Sequence, residues 1–328
     1  MKIAGYVGGL VGCALLVALF VRSDMPAMLQ ALDVAGLRLL WLVPYRGTYF
    51  LLYAIGWRAL LRPYDPHSRA GFPYIYWVTT VRDAIDRLLP VASVGGGLAA
   101  IRLMRWRGLP SIPVAASVIV EILLTLAVVY VFTAIGLLLF LHLRATGADY
   151  DRVLIAFLLS LPVPVLAALL ARDGSMFKRL HRVLRPIVGT RLLAESAESL
   201  DKELQASLRR AGALLGAGVL QLIAFASASF EVWFALRLFG HPVSAECAVA
   251  LESLTQAARY LAFIVPAGIG VQEAGFVLFG HLLGVGADLA LAVSMAKRLR
   301  EVVCGVPSLV SWQWIEGWRL RGNQAGPS

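Results

Sequence analysis

The chain has 328 residues, of which 59% are hydrophobic and 15% charged, and its mean hydropathy is +0.76. This balance excludes a water-soluble globule and predicts an all-α polytopic membrane protein, because backbone polar groups in lipid must be satisfied within helices or closed barrels. The formal charge of +10 points to loops facing an anionic cytoplasmic leaflet, and with that charge lying largely between apolar segments no nucleic-acid partner is expected.

Ile3 to Val21 is an uninterrupted apolar run, longer than a signal-peptide core, and reads as a retained first span. Gly5 and Gly9, like Gly8 and Gly12, have the spacing that lets helices pack closely. Val34 to Leu61 is a second segment, with Arg58 and Arg62 marking a cytoplasmic end. Phe72 to Arg107 is too charged for an ordinary span: Arg82, Asp83, Asp86 and Arg87 precede Pro90, and Gly95, Gly96 and Gly97 follow. Arg82 with Asp86, and Asp83 with Arg87, are i,i+4 couples that partly neutralise one another. A broken helical hairpin, apolar helix, proline, glycines and helix again, accounts for this stretch.

Ile112 to Leu143 is long and apolar, with Glu121 about two turns inside it. Arg152 to Ala171 is a further span, kinked by Pro162 and Pro164. From Arg172 to Arg210 nine basic residues face five acidic ones, which makes this loop cytoplasmic. Ile187 to Leu208 within it has the pattern of an amphipathic surface helix, either a solvated face or one that meets anionic lipid. Ala211 to Leu238 crosses next.

Residues 244–283 hold the second broken segment, whose centre reads FIVPAGIGVQEAG from Phe263 to Gly275. Pro266 removes a backbone donor, Gly268 and Gly270 permit a turn, and Glu273 follows. A last span runs from Ala287 to about Glu316, and Arg319 and Arg321 place a short tail, 319–328, in the cytoplasm.

The two broken segments echo one another. Asp83 and Arg259 both stand seven positions before their prolines, while Glu121 lies 31 positions after Pro90 and Arg298 lies 32 after Pro266. Matched positions thus carry opposite charges. Interrupted apolar segments at corresponding places in two half-repeats point to a transport site. The expected architecture is one integral-membrane domain, 1–318, with pseudo-repeats about 34–143 and 211–316. It has six spanning helices, two re-entrant hairpins in an inverted repeat, and both termini inside. Eight full spans with both termini outside is the alternative.

Charge inside a bilayer costs at least about 2.5 kcal/mol on insertion scales and turns inward. Asp83, Arg87, Arg102, Glu121, Arg259, Glu273, Lys297, Arg298, Arg300 and Glu301 are therefore the candidate transport residues. Arg259, Lys297 and Arg298 suit a phosphate or other anionic headgroup, with Glu121 and Glu273 holding those cations; static ion pairing is the competing explanation. Cys13, Cys247 and Cys304 lack metal or disulfide spacing, the histidines are scattered, and Gly95 to Gly97 lack the lysine of a phosphate-binding loop. No cofactor or metal is expected.

LLPVASVGG with Glu121 downstream, and VPAGIGVQEAG followed by Arg298, resemble the flippase-like membrane domain of bacterial lysyl-phosphatidylglycerol synthases. The chain is most similar to the stand-alone members encoded beside hopanoid-biosynthesis enzymes. The resemblance implies a multi-pass protein of the bacterial inner membrane that translocates a lipid with a charged headgroup, or a hopanoid-type lipid. Its partners would be anionic or polycyclic membrane lipids and lipid-biosynthesis enzymes. The chain stops at Ser328 without the soluble aminoacyl-transfer domain of the full synthases, so transport rather than catalysis is expected. Gly97 stands where the second motif has Glu273, which leaves the first motif without its carboxylate. A scaffold for lipid-synthesis enzymes and an intramembrane lipid-modifying enzyme are the readings from other classes.

Overall fold

The computed structural model describes residues 33–89, 95–143, 191–262 and 265–324, with Pro26, Gln30 and Ile155 as isolated positions. The expected spans at Ile3 to Val21 and Arg152 to Ala171, residues 172–190 of the basic loop, and Pro90 lie outside them. The described residues form helices and turns. They comprise α1 (Leu42–Leu61), α2 (Phe72–Leu88), α3 (Gly95–Arg105), α4 (Ser111–Leu143), α5 (Arg191–Leu208), α6 (Ala211–Leu238), α7 (Ala245–Leu261), α8 (Val271–Leu282) and α9 (Ala287–Gln324).

Local chemistry sets the boundaries. Pro73 occupies the first turn of α2, where its missing donor does no harm, and α2 ends at Leu88, the next residue, Leu89, being extended at φ −106°, ψ 146° before Pro90. Ser244 caps α7 by accepting the Cys247 backbone N–H at 3.1 Å. By length and apolar composition, α4 and α6 qualify as membrane-crossing helices among the described residues. Both broken segments are broken where expected, α2 from α3 and α7 from α8. The last helix runs to Gln324, past the expected end near Glu316. Pro307 lies inside it.

Pro90 and Pro266 are 176 positions apart, and the same offset relates much of the fold. It carries the start of α3 at Gly95 onto the start of α8 at Val271, and the start of α4 at Ser111 onto the start of α9 at Ala287. Gly108 and Gly284, related by the offset, both adopt left-handed backbone at φ +76° and +82°. The helix ends match bond for bond: Leu109 N–H donates to Met104 O at 3.3 Å and Val285 N–H to Gly280 O at 2.8 Å.

Packing obeys the same exchange. The contact of α4 with α7 has its counterpart in α9 with α2, and α2 with α3 has its counterpart in α7 with α8. A further large contact joins the two counterparts α1 and α6. Tyr45 and Tyr49 near the start of α1 bond Ser227 and Glu231 in the second half of α6, whereas Gly56 meets Ala217 near its start. The two helices are therefore antiparallel.

Each half has its own apolar cluster. One gathers Trp57, Val78, Val81, Leu103 and Met104 from α1, α2 and α3; the other gathers Val232, Leu251, Phe276 and Leu291 from α6 to α9. Polar and charged side chains fill the space between the clusters. The amphipathic helix expected within Ile187 to Leu208 is α5, and it packs on α4 through Leu204, which is fully buried.

The α4–α7 crossing sets a test. A Cβ on Gly136 would fall 1.6 Å from Ser253 Oγ and 2.6 Å from Ser253 Cβ. Gly136→Ala is expected to lower stability by about 1–3 kcal/mol through overpacking. Adding Ser253→Gly should restore most of it, read from thermal unfolding in detergent; no recovery in the double variant would refute the close approach.

Candidate functional site

Charge that the sequence distributes over six helices converges between the two apolar clusters. A cavity of about 180 Å³ opens there, lined by residues of α1, α2, α4, α6, α7 and α9. Five of its lining side chains are cationic, namely Arg46, Arg82, Arg87, Lys297 and Arg300. Five are carboxylates, namely Asp83, Asp86, Glu121, Glu231 and Glu252.

Most of these groups are paired. Arg46 bonds Asp83 and stacks on the Phe50 ring at 4.3 Å. Arg82 reaches across to Glu121 at 2.6 Å and lies 4.6 Å from the Trp57 ring. Lys297 donates to Glu252 at 2.6 Å. Arg300 pairs with Glu231 and donates to Tyr49 Oη at 2.9 Å, while Tyr49 donates to Glu231 at 3.0 Å. Arg87 joins the halves, bonding Asp83 at 2.7 Å on its own helix and Glu301 at 2.6 Å on α9.

Glu301, only 3% exposed, is surrounded by guanidinium groups. Arg87 lies at 2.6 Å, Arg298 at 3.2 Å, Arg300 at 3.6 Å and Arg259 at 3.8 Å. One carboxylate is thus shared by cations from α2, α7 and α9.

The second break is built beside this cluster. Ala267, Gly268 and Gly270 all have positive φ, at 55°, 60° and 78°. For Ala267 that conformation is costly and has to be held by its surroundings. Arg298 holds it: one arm donates to Ala267 O at 3.0 Å, the other to Gly268 O at 3.1 Å, and Nε to Glu273 at 3.0 Å. Glu273, fully buried, also accepts the Gly270 N–H at 2.7 Å and so caps α8. A Cβ on Gly268 would lie 3.1 Å from Arg259 Nε, a tight contact on top of the positive φ.

At the first break the cap comes from the other arm. Asp86, at the end of α2, accepts the Gly96 N–H at 2.9 Å, and a Cβ on Gly96 would fall 2.5 Å from that carboxylate. Asp86 therefore does not form the expected couple with Arg82, because a helix N-terminus and Glu121 outcompete it. The Asp83–Arg87 couple does form.

Of the ten charged candidates, Asp83, Arg87, Glu121, Lys297 and Arg300 line the cavity. Arg259, Glu273, Arg298 and Glu301 build the wall around the second break. Arg102 lies apart, in an exposed pair with Glu316 on α9. Gly95 begins α3, Gly96 is its capped N–H, and Pro266 opens the turn through Gly268 that precedes α8. Sequence reasoning missed Arg46, Glu231 and Glu252. The signal was available, since each is a charge inside an otherwise apolar segment.

The family model described as Lysylphosphatidylglycerol synthase TM region matches residues 6–307. The chain belongs to this family. It is accordingly a helical membrane protein with a lipid-related setting, and the charges that line the cavity and the second break lie within the region that the family defines. No curated protein and no solved structure gave a significant match to the chain.

The environments of Glu301 and Arg102 predict opposite sensitivities. Glu301→Gln leaves buried cations without their shared anion and should cost about 3–5 kcal/mol. Arg102→Ala, which breaks a pair whose arginine is 58% exposed, should cost less than about 1 kcal/mol. Unfolding midpoints in one detergent compare them, and equal losses would disprove the shared-anion description.

Proposed function

We propose that this protein translocates a lipid across a bacterial membrane by passing its charged headgroup through the cavity while the tails stay in lipid. The observation that carries the reading is the cavity itself: ten charged side chains surround a space between the two halves of the fold. Buried charge on this scale is expensive, and a watery or headgroup-filled path is what gives it a use. The helices are interrupted beside this space, the arrangement found where transporters expose backbone to a substrate.

The topology we assign is six spanning helices with two re-entrant hairpins, α2–α3 and α7–α8, in an inverted repeat. The 176-residue correspondence supports the repeat. The antiparallel packing of the counterparts α1 and α6 supports the inversion, because a two-fold axis that exchanges antiparallel helices must run perpendicular to them. The basic residues of the 172–210 loop, together with Arg319 and Arg321, favour cytoplasmic termini in the bacterial inner membrane. Hopanoid-type lipids remain within the cargo range that the resemblance implies. The reading is one of transport and assigns no catalytic residue.

Reconstitution tests it. Purified protein in liposomes should accelerate leaflet exchange of acyl-labelled lipid, followed by dithionite quenching. Glu252→Gln and Lys297→Met are each expected to reduce exchange at least about tenfold. The double swap Glu252→Lys with Lys297→Glu should regain stability but not flux, since the cavity then presents its charges in the wrong places. Recovery of flux by the swap would mean that pairing alone matters. No acceleration for any lipid, with or without a pH gradient, would overturn transport in favour of a scaffold for lipid-synthesis enzymes.

A further inference from the structure

We propose that one end of the fold, where the start of α2, the turn between α3 and α4 and the last turns of α9 meet, is a surface that binds anionic phospholipid headgroups of the adjacent leaflet. It shares no residue with the lining of the central cavity and does not depend on the translocation reading. Arg69, Arg105, Arg107 and Arg319 are exposed there, and none has an ion-pair partner among the described residues. The carboxylates beside them are engaged: Asp65 accepts the backbone N–H groups of Arg69 and Ala70 at 2.7 and 2.8 Å, and Glu316 pairs with Arg102.

The guanidinium groups are held in place. Arg107 stacks on the Tyr74 ring at 4.5 Å and Arg319 on the Trp106 ring at 4.8 Å. Tyr74 is itself fixed, donating to Leu103 O at 2.7 Å, and Arg69 reaches Gly108 O at 3.5 Å. A ring takes the face of a guanidinium and leaves its edge of N–H donors free, the geometry that meets two phosphate oxygens at once. Trp106 and Arg107 are chain neighbours, so two such edges come to one turn.

The other half of the repeat provides an internal control. The 176-residue offset carries Arg105, Trp106 and Arg107 onto His281, Leu282 and Leu283, and Leu143 onto Arg319. Gly284 nevertheless has the left-handed backbone of Gly108, and Val285 makes the same closing hydrogen bond as Leu109. The turn thus folds without arginine or tryptophan, and these residues answer a need other than folding. Orienting a chain across the membrane requires basic residues but no rings beneath them. Depth selects the partner. Trp314 and Trp318, on the same end of α9, are 78% and 76% exposed, and exposed tryptophans sit at headgroup level, where lipid phosphates already are. On the topology assigned above the leaflet is the cytoplasmic one, whose anionic lipids supply the charge.

Binding to the full chain in non-ionic detergent tests the proposal. Dihexanoyl phosphatidylglycerol, dihexanoyl phosphatidylcholine, inorganic phosphate and polyglutamate are titrated separately, with thermal stabilisation as the readout. Phosphatidylglycerol is expected to bind at least about tenfold tighter than phosphatidylcholine, with a preference that falls as salt is raised. Arg107→Gln with Arg319→Gln should lower that preference about fivefold per arginine removed. A graft of the second turn, Arg105→His with Trp106→Leu and Arg107→Leu, should lower it too; where the graft does not fold, the glutamine pair decides. Equal binding of the two lipids overturns the proposal. So does a preference that the glutamine pair leaves unchanged, because the lipid is then bound elsewhere. Inorganic phosphate binding as tightly as phosphatidylglycerol would make this a free-anion site, tighter binding of polyglutamate would make it a protein-docking site, and either result overturns it. Lipid exchange in liposomes plays no part in these outcomes, so the proposal and translocation fail independently.

Discussion

Glu301 and the four arginines around it hold the described fold together at its most expensive point. Isolated guanidinium groups between apolar helices would not be tolerated, and neither would the carboxylate by itself. Arg87 comes from α2, Arg259 from α7, and Arg298 and Arg300 from α9 on either side of Glu301. The carboxylate thereby joins the first arm of each broken segment to one helix. Arg298 extends the linkage by gripping the two carbonyls of the break itself. The left-handed Ala267 and the buried charge are therefore parts of one solution: the arginine that neutralises Glu301 also satisfies backbone groups freed when the helix stops.

Much of the architecture was legible because its signals are punctuation and period. Pro90, Pro266 and the glycines marked the breaks, and charges in apolar runs marked residues that have to turn inward. Register was harder. Glu121, 31 positions after Pro90, was set against Arg298, 32 after Pro266, but the 176-residue offset shared by the prolines and the helix starts pairs Glu121 with Lys297. The distinction is physical as well as arithmetic. Glu121 and Lys297 each find an opposite charge on the helix that precedes a break, Arg82 of α2 and Glu252 of α7 respectively, at 2.6 Å in both cases. Arg298, one residue further round the helix, faces the break instead.

Other parts of the site were illegible from sequence for a definable reason. Which of several carboxylates an arginine selects depends on the helix crossing, which composition does not encode. Arg82 and Asp86 have ideal i,i+4 spacing, yet each bonds across the fold, Arg82 to α4 and Asp86 to the start of α3. Arg46 and Glu231 were visible as intramembrane charges, but Tyr49, the hydroxyl between Arg300 and Glu231, looks in sequence like any interfacial aromatic.

The missing carboxylate of the first motif shows how such a substitution is accommodated. Gly97 occupies the position of Glu273, so α3 lacks the internal cap that α8 has. Asp86 caps it from the preceding arm, and Gly96 must then be glycine because the carboxylate lies against it. The two breaks share a requirement, an anion at the start of the second arm, and meet it from opposite directions. The consequence for the cavity is an asymmetry. Glu273 is sealed behind Arg298, whereas Asp86 lines the open space with no ion-pair partner among the described residues. The displaced cap thus supplies one of the five carboxylates that stand beside five cations among the described residues lining the cavity.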